Sequence, residues 1–431
     1  MMHEKRLVMA DDLYQLEIIE SCQISPNGES IIYSVQTVDQ DSEKKYSHLW
    51  WVPTNGGETT QLTFGKQSDK NPKWSPDGKW IAFLSNRLDK DQPQIFLLPA
   101  SGGEAQPLTD LNGDFGEFNW SPDSQKLVVQ FRQHDLEDVE RKKDEKKKEL
   151  GRVSRRITDR VFYKLDGYGY LPRARYHLWM VDIQSGKTAC LFEDEIHDET
   201  GPVWSPDGKS IAFFSNRTEQ PDLNPDIIDL FIYDLESQEY RKIETPQGPK
   251  RKANFSPDGK LIAYIGREGL KADYKNNELW VIDVENERSA VSLTSTFDFN
   301  VGGGVINDIG SFVTSKPYWT PDGRNLVFQV GQLGRASLHK IGFDGNGLET
   351  LIKFDGVVSD FSLDAAGDNI GYIHGSFFDP CQIGHFALTD SHNQILTKLN
   401  QSLLESLDLG ILEEVWFEGS DGNPLQGWIL K

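Results

Sequence analysis

The chain has 431 residues, of which 37% are hydrophobic and 11% aromatic, so it carries enough apolar material for a large core and is not an intrinsically disordered protein. Its formal net charge of -22, from 45 Lys and Arg against 67 Asp and Glu, repels phosphate backbones and excludes nucleic acid as a partner. The 3 cysteines form no CxxC pair and no apolar stretch is long enough to cross a membrane, so we expect a cytoplasmic protein with no disulfide framework and no membrane contact.

One phrase recurs along the chain: an apolar residue, then Ser-Pro-Asp-Gly, then a short apolar run. Pro, Asp and Gly suit the second, third and fourth positions of a type I turn. The apolar run is typical of a strand that is covered on both faces. Each repeat therefore predicts a small antiparallel sheet. The copies begin at Ile24, Trp74, Trp120, Trp204, Phe255, Trp319 and, in a degenerate form, Leu363.

The spacing of these copies predicts the architecture. Measured between the prolines of the motif, with Ala365 in the last copy, the intervals are 50, 46, 84, 51, 64 and 44 residues. A basic period of about 45 to 50 residues is that of a four-stranded propeller blade. The sequence therefore predicts an all-β fold: a seven-bladed β-propeller of four-stranded antiparallel blades over residues 1–410.

The interval of 84 residues predicts an insertion at about residues 133–175. Within it, 13 of the 15 residues from Asp135 to Glu149 are charged, which favours a solvated helix with close charge pairs. From Arg141 to Lys164 there are 11 basic and 4 acidic residues, a local charge of +7. The alternative is a segment that contacts a neighbouring surface or a peptide. In that case the contact would come from its aromatic end, Tyr163, Tyr168 and Tyr170.

Residues 411–431 depart from the repeat. Glu414–Glu418 alternates in polarity, Ser420–Asn423 has turn composition, and Leu425–Lys431 reads as a second strand. This pattern predicts a hairpin that belongs to no blade. Because natural domains usually cover a free strand edge, we expect a further domain to begin with this hairpin.

Three stretches carry a more specific resemblance: Ile157–Gly186, Asn276–Gly304 and the tail from Leu396 to Lys431. Together they resemble the propeller of bacterial acylaminoacyl-peptidase-like enzymes of the prolyl oligopeptidase family of serine peptidases, and the resemblance extends over nearly the whole chain. It implies a C-terminal α/β-hydrolase domain that holds the Ser, Asp and His of catalysis, with residues 411–431 as its first hairpin. It also implies short peptide substrates and a propeller that restricts their entry.

The chain departs from that family in its chemistry. The nucleophile elbow G-x-S-x-G does not occur, so no catalytic residue is assigned and we expect the chain alone to be inactive. The 9 histidines show no HxxxH or HExxH spacing, and neither a metal nor a cofactor is predicted. Guanidinium groups bind carboxylates, so the arginines of the insertion are candidate contacts for substrate carboxylates. These are Arg155, Arg156, Arg160 and Arg173.

Two other functions stay open at this point. A stand-alone propeller that serves as a protein-binding scaffold is the first, because such folds host many unrelated functions. The second is an enzyme with a site in its own central channel, which would need polar or charged side chains to converge on the axis. The sequence also leaves open the peptide specificity, the formation of homo-oligomers and the strand that closes the ring.

Overall fold

The computed structural model describes residues 5–88, 92–135, 160–166, 169–192, 194–285, 288–303 and 314–431. This part of the chain is almost entirely β, which confirms the all-β prediction. Its helices are short, and no helix within these ranges is long and apolar enough to span a membrane. They are the 3₁₀ helices Ala10–Gln15 and Pro221–Leu223 and the α-helix α1, Gln401–Ser406.

Five separate sheets, named A to E, each contain four antiparallel strands taken in chain order. After the short strand β1 (Arg6–Leu7), sheet A consists of β2 (Ile18–Ile24), β3 (Ser30–Asp39), β4 (Lys44–Pro53) and β5 (Thr60–Gln61). Sheet B consists of β6 (Asp69–Trp74), β7 (Trp80–Ser85), β8 (Gln94–Pro99) and β9 (Gln106–Pro107). Sheet C consists of β10 (Gly113–Trp120), β11 (Lys126–Gln133) and, after the small hairpin β12 (Lys164–Leu165) and β13 (Gly169–Tyr170), β14 (His177–Asp182) and β15 (Thr188–Cys190). Sheet D consists of β16 (Glu199–Trp204), β17 (Ser210–Ser215), β18 (Asp229–Asp234) and β19 (Tyr240–Ile243). Sheet E consists of β20 (Lys250–Phe255), β21 (Leu261–Gly266), β22 (Glu278–Asp283) and β23 (Val291–Ser292).

The remaining repeats form a larger sheet, F, whose two parts are joined by one parallel residue pair, Ala336 opposite Val357. Part F1 consists of β24 (Asn300–Val301), β25 (Tyr318–Trp319), β26 (Asn325–Gln332), β27 (Arg335–Gly342) and β28 (Glu349–Ile352). Part F2 consists of β29 (Val357–Leu363), β30 (Asn369–Gly375), β31 (Gln382–Ala387) and β32 (His392–Ile395). Then follow β33 (Leu407–Asp408), which pairs with β1 in parallel, and the hairpin of β34 (Leu412–Glu418) and β35 (Pro424–Leu430).

The repeated turn is held by its own side chains. In each of five copies, the Ser or Thr hydroxyl donates to the Asp Oδ1 at 2.6 Å, and that Oδ1 also accepts the backbone N–H two residues further on. Such local bonds favour a turn over continued extension. The fourth position has positive φ, as at Gly259 (φ 74), which glycine adopts without strain. In the one copy without Gly, Ser124 takes φ 61.

Removing one of these carboxylates should destabilise the chain modestly and in a pH-dependent way. The Ser256 hydroxyl and the Lys260 amide hold the pKa of Asp258 below its ordinary value. A lowered pKa in the folded state contributes stability that is present above about pH 4 and is lost as the pH falls further. Asp258→Ala should cost about 1 kcal/mol at pH 7 by urea unfolding, and less at pH 3. An equal cost at both pH values would contradict this role.

The hydrophobic cores lie between neighbouring sheets. In β17, Ile211 and Phe213 pack into a core shared with sheet C, whereas Ala212 and Phe214 pack into one shared with sheet E. Side chains of a strand alternate between faces, so burial on both faces requires the nearly continuous apolar run that the sequence contains. This face-to-face packing of four-stranded sheets is propeller-like.

The tryptophans that open several repeats also link the sheets by hydrogen bonds. Trp120 Nε1 donates to the backbone oxygen of Lys73 in sheet B at 3.0 Å, and Trp204 Nε1 donates to that of Asn119 in sheet C at 3.1 Å. Trp319 Nε1 makes the same contact with sheet E at 3.1 Å. The indole therefore supplies apolar area and satisfies its N–H at the sheet boundary.

The first and last sheets of the chain also contact each other. Ile24 N donates to Ser362 Oγ at 2.9 Å, and Ala365 N donates to Pro26 O at 3.0 Å. Sheet A and part F2 share a core in which Ile31 is fully buried. Within the described residues, all strands of sheet A come from 18–61 and all strands of F2 from 357–395, so hydrogen bonds and side-chain packing, and not a shared strand, join these two sheets.

Sheet C is interrupted between Gln133 and His177, where the sequence predicts the insertion. The predicted solvated helix falls mainly on residues 136–159, which lie outside the described residues. The described remainder contains the two-residue strands β12 and β13, which pair as a small hairpin.

Candidate functional site

The first strand of most sheets carries a register shift at an equivalent place. In sheets B, C, E and part F2 the shifts lie between Lys70 and Lys73, Phe115 and Phe118, Arg251 and Asn254, and Val358 and Phe361. An extra residue in one strand breaks the alternation of faces and re-aims side chains. The bulges therefore change the direction of side chains on these first strands.

Five ionisable side chains from five different repeats form what we call the central cluster. They are Lys73, Glu117, Lys252, Lys316 and Asp360. Lys252 Nζ lies 2.5 Å from Glu117 Oε1, although these residues belong to sheets E and C, with sheet D between them. Four of the five stand three residues before the apolar residue that opens their repeat. In sheet D that position is Gly201.

Burial dominates the electrostatics of the central cluster. It lowers the pKa of both Lys73 and Lys316 to about 8 and raises the pKa of Asp360. Burial also opposes ionisation of Glu117, but Lys252 and Lys73 outweigh it and hold the pKa of Glu117 below its usual value. Three cations face two carboxylates, so the cluster carries a surplus of positive charge in a chain of net charge -22 when all five are ionised.

The lysines of the cluster differ in their partners. Lys73 Nζ donates to Phe118 O at 2.6 Å and to Asn119 Oδ1 at 2.9 Å, and Lys316 Nζ lies 3.5 Å from Asn254 Oδ1. No carboxylate of the described chain lies within 4.0 Å of either lysine. Asp360 accepts bonds from Cys22 N at 3.1 Å and Ser315 Oγ at 2.9 Å. In the described ranges no three His, Cys, Asp or Glu side chains are grouped to hold a metal.

A second site is a cleft of about 1190 Å³ beside the insertion, lined by residues of sheets C and D and by two of the predicted arginines, Arg160 and Arg173. Arg160 donates to Pro172 O at 3.0 Å and lies 3.5 Å from Asp222 Oδ2. Arg175 Nη1 also binds Asp222, at 3.0 Å. The carboxylate nearest to Arg160 is therefore one of the chain's own. Burial and Arg175 lower the pKa of Arg160.

The other predicted site residues fall into two groups. Tyr163 and Tyr170 are half exposed, and their ring centroids lie 6.3 Å apart across the β12–β13 hairpin. Arg155, Arg156 and Tyr168 lie outside the described residues. The structure thus brings Arg160 and Arg173 to one cleft and pairs the two tyrosines beside it.

An ion-pair network lies next to this cleft. Arg217 Nη2 lies 2.5 Å from Glu199 Oε1, and its Nη1 lies 3.1 Å from Asp194 Oδ2. His177 Nδ1 contacts the other oxygen of Glu199 at 2.6 Å. Arg217 also stands over the ring of Phe192, 5.5 Å from its centroid. Each charge of the network is compensated within the chain, so this arrangement is structural.

The five residues of the central cluster are not among the site residues predicted from the sequence. A signal was present: comparison of the position three residues before the opening apolar residue gives Ser, Asn, Glu, Gly, Lys, Lys and Asp in the successive repeats. A polar position inside an otherwise apolar repeat marks a surface that is not core. The sequence alone, however, does not place these residues opposite one another.

Comparison with known proteins agrees with this architecture. Residues 17–159 match the family described as TolB beta propeller domain. The acylaminoacyl peptidase of Pyrococcus horikoshii superposes over 97% of this chain and 58% of its own, with a TM-score of 0.72 and 16% identity. The β-propeller domain of the Trilobed protease from Pyrococcus furiosus superposes over 89% of this chain and 99% of its own, with a TM-score of 0.59 and 15% identity. The solved structures therefore show a propeller-like fold for nearly the whole chain, and the TolB family match covers residues 17–159.

Its curated relatives are peptidases. The uncharacterized peptidase YuxL of Bacillus subtilis is 28% identical over 99% of this chain and 64% of its own length. Dipeptidyl-peptidase 5 of Porphyromonas gingivalis is 27% identical over 96% of this chain and 59% of its own length. The chain is homologous to these peptidases and spans less than two thirds of the length of either.

Proposed function

We propose that this chain is the substrate-gating propeller of a serine peptidase of the acylaminoacyl-peptidase or oligopeptidase type that acts on short peptides. In this proposal the nucleophile and base belong to an α/β-hydrolase domain, and the propeller admits or excludes substrates. The observation that carries the proposal is the match of nearly all of this chain to part of two longer peptidases. The absence of a G-x-S-x-G pentapeptide is consistent with catalysis elsewhere.

The proposal includes a ring of seven four-stranded blades, formed by sheets A to E and parts F1 and F2. The contacts between sheet A and part F2 support closure, and the central cluster would then line the passage through the ring. A charged, partly closed passage selects substrates by size and charge without taking part in bond cleavage. Hydrogen bonds and packing, not a shared strand, would hold the ring closed, so it could open to pass a peptide.

Hydrolysis assays test the assignment of catalysis. We expect no turnover of acetyl-amino-acid or dipeptidyl nitroanilides by the 431-residue chain. We expect turnover by the protein that the coding sequence specifies when it is read past Lys431. Hydrolysis at an enzyme-like rate by the chain alone would contradict the proposal, as would a coding sequence that ends at Lys431.

A change to the passage tests gating. In the proposed ring, the ion pair of Glu117 and Lys252 crosses the passage. The double variant Glu117→Ala/Lys252→Ala of the active protein should remove this obstacle. The ratio of kcat/KM for a ten-residue peptide to kcat/KM for a dipeptidyl nitroanilide should then rise about tenfold. A pair of similar exposure outside the central cluster, Lys340 and Glu349 at 2.7 Å, supplies the matched control when both are changed to Ala. An unchanged ratio in the passage variant would contradict gating at this position.

A further inference from the structure

The central cluster has an excess of cations that its own carboxylates do not neutralise. Glu117 is committed to Lys252, and Asp360 is held by Cys22 N and Ser315 Oγ. Among the described residues, Lys73 and Lys316 bind neutral oxygens, those of Phe118 and two asparagines. Ammonium groups removed from bulk water gain most from an anionic partner.

The cluster is also accessible. The side chains of Lys252 and Glu117 are 27% and 43% exposed to solvent, and Lys73, Lys316 and Asp360 are only partly buried. The cluster is therefore in contact with solvent and is not sealed in a core. A small anion that enters this space meets lysines from sheets B and E and part F1.

We propose that Lys73 and Lys316 form a binding site for the carboxylate of a peptide, either its C terminus or an acidic side chain. This inference rests on the proposed function for the choice of a peptide as the ligand. Lys252 is already paired with Glu117 but adds positive electrostatic potential at the site. Glu117 and Asp360 repel a second carboxylate, so the site holds one carboxylate group. The passage would then favour acidic peptides over neutral or basic ones.

Direct binding to the 431-residue chain tests the site without any catalytic step. The probes are acetyl-Ala-Ala-Ala as the free acid and as the C-terminal amide, titrated calorimetrically at pH 7 and low salt. The acid should bind about tenfold more tightly, the factor expected of one hydrogen bond to a charged group. In Lys73→Met/Lys316→Met this preference should disappear, and in Lys66→Met, whose side chain is 66% exposed and pairs with Asp39 outside the cluster, it should persist.

A charge-conserving double variant distinguishes the effect of losing positive charge from the effect of misfolding. Lys73→Arg/Lys316→Arg keeps both cations and should retain most of the preference for the acid. If the Met variant does not fold, the pH dependence of binding to the unaltered chain takes its place. Glu117, Lys252 and Asp360 face Lys73, whereas Lys73, Glu117 and Lys252 face Lys316, whose Nζ also lies 5.2 Å from the ring centroid of Tyr318. Because Lys73 and Lys316 lose charge near pH 8, the preference should fall between pH 7 and pH 9.

Equal affinity for acid and amide would overturn the site, and so would a preference that survives in the folded Met variant. Inorganic phosphate that displaces the acid at equal concentration would overturn the assignment to peptides and indicate a general anion site. These outcomes are independent of turnover. A failure of peptidase activity with the acid preference intact would contradict the proposed function and leave the carboxylate site standing.

Discussion

Arg217→Met should lower the free energy of unfolding by about 3–5 kcal/mol, the usual result of removing one partner of a buried ion pair. The side chain of Glu199 is fully buried, and Arg217 Nη2 contacts its Oε1 at 2.5 Å. Without Arg217, the ion pairs that the described residues leave to Glu199 and Asp194 are those with His177 and His197. Urea unfolding followed by tryptophan fluorescence measures the loss.

The control for this experiment is an arginine on the same sheet in an exposed pair. Arg241 lies 3.5 Å from Glu285, with side chains 44% and 75% exposed, and Arg241→Met should cost less than about 1 kcal/mol. The double variant Arg217→Met/Glu199→Gln should recover part of the loss, because no charge is then left at position 199. If Arg217→Met were as mild as Arg241→Met, a structural role of the network would be contradicted.

Ile31→Ala should cost about 2–5 kcal/mol, because it opens a cavity in the core shared by the first and last sheets. Ile31 is fully buried, and the backbone of Gly371 in part F2 packs against it. The substitution should loosen the boundary between sheet A and part F2, which we call the seam, more than the rest of the molecule. Urea unfolding gives the energy, and hydrogen exchange of the β30 amides reports whether the seam opens first.

A compensating change makes the seam experiment specific. A Cβ added at Gly371 would lie 3.0 Å from Ile31 Cδ1, so Gly371→Ala alone crowds the seam. Combined with Ile31→Ala, the same methyl group occupies part of the cavity, and the double variant should be more stable than the sum of the single effects predicts. Val291→Ala, at a 58% exposed position, is the control for losing an apolar side chain. Strict additivity of the two seam changes would contradict direct packing between sheet A and part F2.

Much of the fold was predictable because its signals are local. The turn at Ser256 and Asp258 is stabilised by groups within five residues of one another, so its hydrogen bonds can be predicted from the sequence of a single repeat. The apolar runs, the interruption of sheet C and the C-terminal hairpin follow from composition and spacing over short stretches. Here local preference and final structure agree, as in most natural domains.

The sites were less predictable because they depend on distant residues. The sequence predicts Arg160 as a contact for a substrate carboxylate. Only the folded chain, however, places it beside Asp222, which is 62 residues away in sequence. The pairing of Lys252 with Glu117 joins residues 135 apart, across an intervening repeat that has Gly201 at the equivalent position. The sequence by itself therefore determined the repeat, its turns and its strands, since these arise from neighbouring residues. Only the tertiary structure decided which charges meet, because burial and the packing of separate sheets set both their distances and their pKa values.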